Sequence, residues 1–318
     1  MAIKRLISAS RSEIIDMSTS DLKKSIYSSE GRVVMTQFFT WGNLMGGTTN
    51  AELQQAFGSD MIMLNGYSLE EGFFMNGLSK GNGECYSINE LKELVDVPIG
   101  VYLECGDPEV YEKLETASYG INMLQPGRVV NEKNLEKMKN MGVDFVVLAG
   151  NPGSGTTYEN IISKTRLAKS ILGEDVMIMA GKWEDGVVER VLGDPLLGME
   201  KSKKIISELI DAGADVITLS MPGARTGITV DEIRELTTYI HTYKHGTLVL
   251  SFLDGSVEGA DEETVRECAI LSKQTGADIH CLGDAGLQGT SQPENIYALS
   301  IAIKGRLKTW FRQASSRR

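Results

Sequence analysis

Three residues of this 318-residue chain carry charge where an apolar run has just ended. Lys182 follows MIMAG (177–181), Glu104 follows PIGVYL (98–103) and Asp254 follows TLVLSFL (247–253). A lysine in such a place has two chemical uses. Desolvated, its pKa falls and it becomes a Schiff-base nucleophile or a proton carrier; kept as a cation, it holds a phosphate or carboxylate. Glu104 beside it would complete an acid–base pair for removing a proton next to a carbonyl. Glu104 with Asp254 could instead hold Mg²⁺ through carboxylate oxygens, and no other cofactor is implied. A rim salt bridge from Lys182 to Glu104 or Asp254 explains the same residues without chemistry.

Other apolar runs end in polar groups too: Gln37, Asn65, Asn151, Ser220, Ser251 and Asp284, with Arg225 following in PGARTG (222–227). Arg225 would grip a carboxylate or phosphate through its bidentate fork, unless it is a solvated loop arginine. The stretch LGDAGLQG (282–289), with Gly283 and Gly286, and the turn Gly255-Ser256 would aim backbone amides at a phosphate. Asp284 would repel that phosphate, so it is expected to face a sugar hydroxyl, a metal or Lys182. NPGSGTT (151–157) opens a helix in an anion-friendly way but lacks the lysine of a P-loop, which argues against ATP. Cys105 and Cys281 read as small buried hydrophobes, and His280 as a satisfied core histidine. Phe38, Phe39 and Trp41 would wall a ligand pocket or meet a partner subunit.

What must position these groups is a parallel sheet. Eight short apolar runs alternate with helical stretches, at 32–39, 60–66, 98–105, 144–150, 175–183, 215–223, 247–255 and 278–286. Near-continuous apolar character marks strands covered on both faces, and eight closes a barrel. Capping boxes, in which a hydroxyl and a glutamate satisfy the first-turn amides, are expected at Ser87–Glu90, Thr156–Glu159, Thr229–Glu232 and Ser291–Glu294. A Gly-x-Asp repeat precedes every second strand: Gly58–Asp60, Gly142–Asp144, Gly213–Asp215 and Gly276–Asp278. The glycine suits the left-handed position past a helix end, and the recurrence favours a closed barrel over an open doubly wound sheet. Its aspartates belong to the N-terminal face, where they stabilise turns. The expectation is a single (β/α)₈ TIM barrel over 1–318, with an N-terminal helical extension over 1–31.

Composition narrows the function classes. The formal net charge of −11 offers nucleic acid no basic surface beyond a C-terminal cluster. No segment reads as a signal peptide or a membrane span. Four scattered cysteines without a CxxC pair imply a reduced, cytoplasmic protein, and three histidines argue against zinc and against a Ser-His-Asp triad unless His280 is the base. Apolar Ile301, Ile303, Leu307, Trp310 and Phe311 on the last helix predict a homo-oligomer, with a dimer expected.

The stretch HCLGDAGLQGTSQPENIYALSIAIKG (280–305), with RLISASRSEI (5–14), resembles a family of uncharacterised bacterial barrel proteins. Its members often carry the labels haloacid-dehalogenase-like hydrolase or phosphoenolpyruvate phosphonomutase-like. The dehalogenase motif is an apolar strand followed by Asp-x-Asp-Gly-Thr. Here Asp254-Gly255-Ser256 matches its second half, but Phe252 stands at the nucleophile position. The phosphonomutase superfamily's Glu-Asp-Lys…Cys-Gly-His loop is absent from the sequence. The resemblance therefore implies a barrel without assigning catalytic residues.

These readings converge on an isomerase or lyase for a small phosphorylated sugar or carbonyl compound, with its site at the C-terminal ends of the strands. The alternatives are a Mg²⁺-dependent, carboxylate-rich hydrolase or phosphonomutase-like lyase, and a barrel that binds a ligand without turning it over.

Overall fold

The computed structural model describes residues 3–111, 124–184 and 188–314. Eight parallel strands close into a barrel in chain order: β1 Val33–Phe39, β2 Met61–Asn65, β3 Ile99–Glu104, β4 Phe145–Ala149, β5 Met177–Gly181, β6 Val216–Ser220, β7 Leu248–Leu253 and β8 Ile279–Leu282. Every apolar run expected to form a strand does so. Helices α1 Arg11–Ile15 and α2 Thr19–Tyr27 precede the barrel. The outer helices are α3 Asn50–Ala56, α4 Ile88–Leu94, α5 Pro108–Tyr111, α6 Glu132–Met141, α7 Tyr158–Leu172, α8 Met199–Asp211, α9 Val230–Tyr243, α10 Glu262–Gln274 and α11 Pro293–Gln313.

Side-chain alternation splits the core into two layers. Met35, Met63, Tyr102, Val147, Met179, Leu250, Phe252 and Cys281 fill the barrel interior. Val101, Leu103, Val146, Ile178, Ala180, Ile217 and Val249 pack outward, against the helices. Strand parity alone therefore decides whether a strand-end residue meets the mouth or the helix layer.

The Gly-x-Asp repeat turns out to be one structural device used four times. Each aspartate accepts a backbone amide from the preceding odd-numbered strand: Asp60 from Val34 (3.1 Å), Asp144 from Ile99 (2.8 Å), Asp215 from Ile178 (3.0 Å) and Asp278 from Val249 (2.8 Å). Its own amide donates back to the carbonyl of that same residue. A cationic or imidazole side chain from elsewhere completes each clamp: Lys304 and Arg312 at Asp60, Lys92 at Asp144, Lys23 at Asp215 and His241 at Asp278. The glycine before each aspartate has positive φ, between 70° and 113°, which excludes most other residues.

Capping boxes form at Ser87–Glu90 and Thr229–Glu232 as expected. Two expected boxes differ. On α7 the box is shifted by one residue, to Thr157 and Asn160. On α11 the cap is Gln292, because Ser291 spends its hydroxyl on the Gly283 carbonyl (2.6 Å), while Pro293 occupies the first turn. A non-helical Gly305 (φ 75°) kinks α11. Beyond the kink Leu307, Trp310 and Phe311 are exposed, whereas Ile303 is buried. Among the described residues no helix is long and apolar enough to cross a membrane.

Candidate active site

Inward parity brings Gln37, Asn65, Glu104 and Asp254 to the C-terminal mouth, where Asn151 and Asp284 join them from the segments just past β4 and β8. Asn65 Nδ2 donates to Asp284 Oδ2 (3.0 Å), and Asn65 and Asn151 exchange longer amide contacts of 3.3 and 3.4 Å. Burial raises the Asp284 pKa, and Gln37 and Asn65 oppose the shift. Glu104 is fully buried. It accepts the Asn151 backbone amide (3.0 Å) and the Asn151 side-chain amide, and Arg128 Nη2 stands 3.5 Å away.

Arg128 is a residue that strand-end reasoning does not find. It lies in the return segment after β3, where the Glu104 amide donates to the Arg128 carbonyl and the Val130 amide to the Glu104 carbonyl. Those bonds lay the segment along the strand and carry the guanidinium over the mouth. There it sits 5.5 Å from the ring centroids of both Phe39 and Trp41, and 3.5 Å from Asn65 Oδ1. Burial draws its pKa down, while Glu104 opposes the shift.

Lys182 and Ser251 take the other parity. Lys182 continues the outward register of Ile178 and Ala180; it is buried, and its Nζ donates to the Thr156 carbonyl (2.5 Å). Ser251 shares the register of Val249 and Leu253, and its Oγ accepts from Ser272 on α10 (2.8 Å). Ser272 also meets His280 Nδ1 at 2.7 Å, while Nε2 lies 3.0 Å from the Gly31 carbonyl. Burial lowers the His280 pKa to about 4, so the ring is a neutral core group. Ser220 faces inward but gives its hydroxyl to the Trp183 carbonyl (2.7 Å).

Trp183 closes the floor. It is fully buried, stacks on Phe252 (centroids 4.8 Å, 9° between planes) and meets Tyr102 edge-on at 6.1 Å. Its carbonyl also accepts Arg225 Nε (2.7 Å), and Arg225 Nη2 reaches Asp254 Oδ2 at 3.3 Å. The residue that follows, Glu184, brings a second carboxyl into electrostatic contact with Asp254. Asp254 Oδ1 is buried and has no hydrogen-bond partner among the described residues. Burial pushes Asp254 up to about 6 against the pull of Arg225. Glu184 rises well above the usual carboxylate range, through burial first and then repulsion by Asp254 and Asp284. Part of the Glu184 surface still meets solvent, which leaves a route for the proton.

The turns after β7 and β8 are arranged differently from the expected phosphate cradle. The Gly283 amide donates to the Leu253 carbonyl and the Gly286 amide to the Asp284 carbonyl. The Ala285 amide between them is taken by the protein's own carboxylate, Glu258 Oε1, at 3.1 Å. Gly255 and Ser256 are exposed in left-handed conformation. The Mg²⁺ reading fits poorly for a related reason. Among the described residues no three acidic, histidine or cysteine side chains converge as a metal site. Glu104 is already engaged by Asn151 and Arg128, and Asp284 by Asn65.

Glu258 itself is 2 % exposed, and its Oε2 has no partner among the described residues. Burial first, then repulsion from Asp254 and Asp284, raises its pKa from 4.5 to about 7. The folded state thus binds this proton more tightly than the unfolded chain does. The proton-linked stability is complete below about pH 4.5 and is lost as pH climbs through 7. Glu258→Gln is therefore expected to stabilise the protein at pH 8 by on the order of 2 kcal/mol, and to change little at pH 4.5. Guanidinium unfolding at the two pH values measures this; a gap that does not shrink on acidification refutes it.

The fold and the mouth together define a (β/α)₈ barrel whose strand ends carry the buried carboxyls of Glu104 and Asp254, together with that of Asp284, among amide and guanidinium donors. The chain belongs to the DUF7916 family, a domain of unknown function, whose model matches residues 7–318. No curated protein matches the sequence. Among solved structures it is similar to an archaeal fructose 1,6-bisphosphate aldolase, with 14% identity over 91% of this chain and 100% of that one, at a TM-score of 0.53. The carboxyl transferase domain of Rhizobium etli pyruvate carboxylase with 3-bromopyruvate aligns at 9% identity over 97% of this chain but 52% of that one, at 0.54. A looser likeness, 0.47 at 14% identity over 85% and 80% of the two chains, is to 2,3-dimethylmalate lyase, a PEP mutase/isocitrate lyase superfamily member. At such identities the first two likenesses show the barrel fold alone. The haloacid dehalogenase label finds no support, since the chain is a closed barrel and Phe252 packs on Trp183.

Proposed function

We propose that this barrel is a lyase or isomerase that enolises a small carbonyl compound in its mouth, using Asp254 and Glu184 as one acid–base unit. The observation that carries the reading is the buried Asp254 at the mouth, held by Arg225 through Oδ2 while its Oδ1 has no partner among the described residues. With one proton on the pair, the ionised member takes the hydrogen from the carbon next to the carbonyl. The protonated member delivers its proton to the carbonyl oxygen, giving an enol with charge conserved. From that enol, reprotonation at another carbon is an isomerisation, and cleavage or formation of an adjacent bond is a lyase step.

The opposite wall supports the same use. Asn65, Asn151 and Arg128 are held by one another and by Glu104, so their positions are set before a ligand arrives. Glu104 acts here as a positioning residue. Lys182 has a backbone acceptor in the Thr156 carbonyl and takes no step in this scheme.

The test is hydrogen–deuterium exchange in D₂O, followed by proton NMR, with a panel of 2-oxo acids, hydroxy-aldehydes and their phosphorylated forms. Enzyme-dependent loss of a signal adjacent to a carbonyl supports the reading. A panel that exchanges no faster than with bovine serum albumin overturns it.

A further inference from the structure

The mouth does not end at Asp254. A cavity of about 590 Å³ opens beside it, between the segment after β5 and the loops after β6 and β7. Val191, Ala224 and Ile228 form an apolar wall, and Arg190 and Arg225 line the rest together with Asp194. Arg225 is the hinge between cavity and mouth. Its guanidinium uses one N–H on the Trp183 carbonyl and one on Asp254, out of the five an arginine carries. Gly255 also lines the cavity, next to Arg225. Arg190 is exposed, and its only ion pair among the described residues is a loose one, 3.8 Å from Asp194. The alternative place for an anion, the glycine-rich turn after β8, has its Ala285 amide filled by Glu258.

From this we infer that the cavity is an anion subsite: the substrate carries a carboxylate or phosphate group that Arg190 and Arg225 hold, one or two bonds beyond the carbon worked on by Asp254 and Glu184. Arg225 then couples the two halves of the site. When an anion takes up its remaining donors, its hold on Asp254 weakens, and the carboxyl pair becomes more basic as the substrate docks. The apolar wall suits the short carbon chain between anion and carbonyl. The inference rests on the proposed enolisation for what the subsite serves, but not for its existence.

Inorganic phosphate and malonate are the probes, with acetamide as a neutral control, each titrated into the whole protein at constant ionic strength. Thermal unfolding and calorimetry are the readouts. Both anions are expected to raise the melting temperature, with Kd in the millimolar range, and acetamide is not. Arg190→Ala, a change at an exposed position, should weaken anion binding at least about tenfold, whereas Asp254→Asn should leave it intact or strengthen it. Arg225→Lys, which keeps the charge and loses the fork, should weaken it as well. The absence of stabilisation by either anion overturns the inference. So does stabilisation that survives both arginine variants, which would place the ion elsewhere, as at Lys23, Lys24, Lys244 and His245 around the opposite end of the barrel. Anion binding without deuterium exchange would leave the subsite standing and remove the enolisation, and the reverse result would do the opposite.

Discussion

Asp254→Asn is expected to lower the rate of carbonyl-adjacent deuterium exchange by about 10²–10⁴-fold, the usual worth of a positioned general acid or base. The substitution keeps the size of the side chain and an oxygen for Arg225, so the fold should hold while the ionisable carboxyl beside Glu184 is lost. Wild-type exchange should rise with pH through about 6, as the pair releases its proton and a base becomes available. It should fall again at higher pH, when Glu184 ionises and the acid is spent. Glu184→Gln should remove the falling limb and keep the rising one. A purely structural role for the pair would alter stability and leave the pH profile of the remaining activity unchanged.

The second large effect concerns stability at the opposite end of the barrel. Asp60 is fully buried and ion-paired with two cations, Lys304 at 2.6 Å and Arg312 at 3.0 Å, whose side chains are also 0 % exposed. Arg312 further donates to the Leu6 carbonyl (2.8 Å), and Lys304 to the Gly58 carbonyl (2.6 Å). Asp60→Asn leaves both cations without a counter-charge in a dry environment, and a loss of about 3–5 kcal/mol is expected from denaturant unfolding at pH 7. The loss should shrink toward pH 9–10. Burial, with repulsion from Arg312, already brings Lys304 down to about 8 despite Asp60. A lysine whose folded pKa is depressed costs stability while protonated, and that cost fades as pH rises through its folded value. Lys304→Met in the Asp60→Asn background should recover part of the loss; no recovery would mean that the strand clamp, and not the charge, dominates.

The barrel was legible because each of its signals is local. An apolar run of five to seven residues, a glycine at the end of a helix and an aspartate two residues later depend only on their neighbours in sequence. The Gly-x-Asp repeat could be placed at the N-terminal face from sequence, although its clamp on the preceding strand could not. The site was legible where chemistry coincides with inward parity. Gln37, Asn65, Glu104 and Asp254 end strands on the side that faces the axis, and Asn151 and Asp284 follow closely enough to share it. Lys182 and Ser251 sit one residue out of phase, and single-residue phase is what a run of uniformly apolar residues conceals. Arg128, Glu184 and Glu258 lie in loops whose return paths are set by tertiary bonds, such as the Glu104 amide to the Arg128 carbonyl, so no spacing announces them. Glu258 also reverses a fair expectation. Its carboxylate occupies the amide that a glycine-rich turn was expected to offer to phosphate.

The Asp60 cluster also bears on how the chain comes into being. The partners of this aspartate arrive 244 and 252 residues later in the sequence. During synthesis the first two strands can form early, but a buried carboxylate beside them has no counter-ion until the final helix has left the ribosome. Closure of the barrel should therefore be a late, long-range event, slow by the measure of contact order. A nascent chain stalled before residue 304 would hold an uncompensated charge against an open sheet edge and would be a natural client for chaperones. Fusions or truncations that disturb the last turn of α11 are expected to act on folding yield well before they touch the distant mouth.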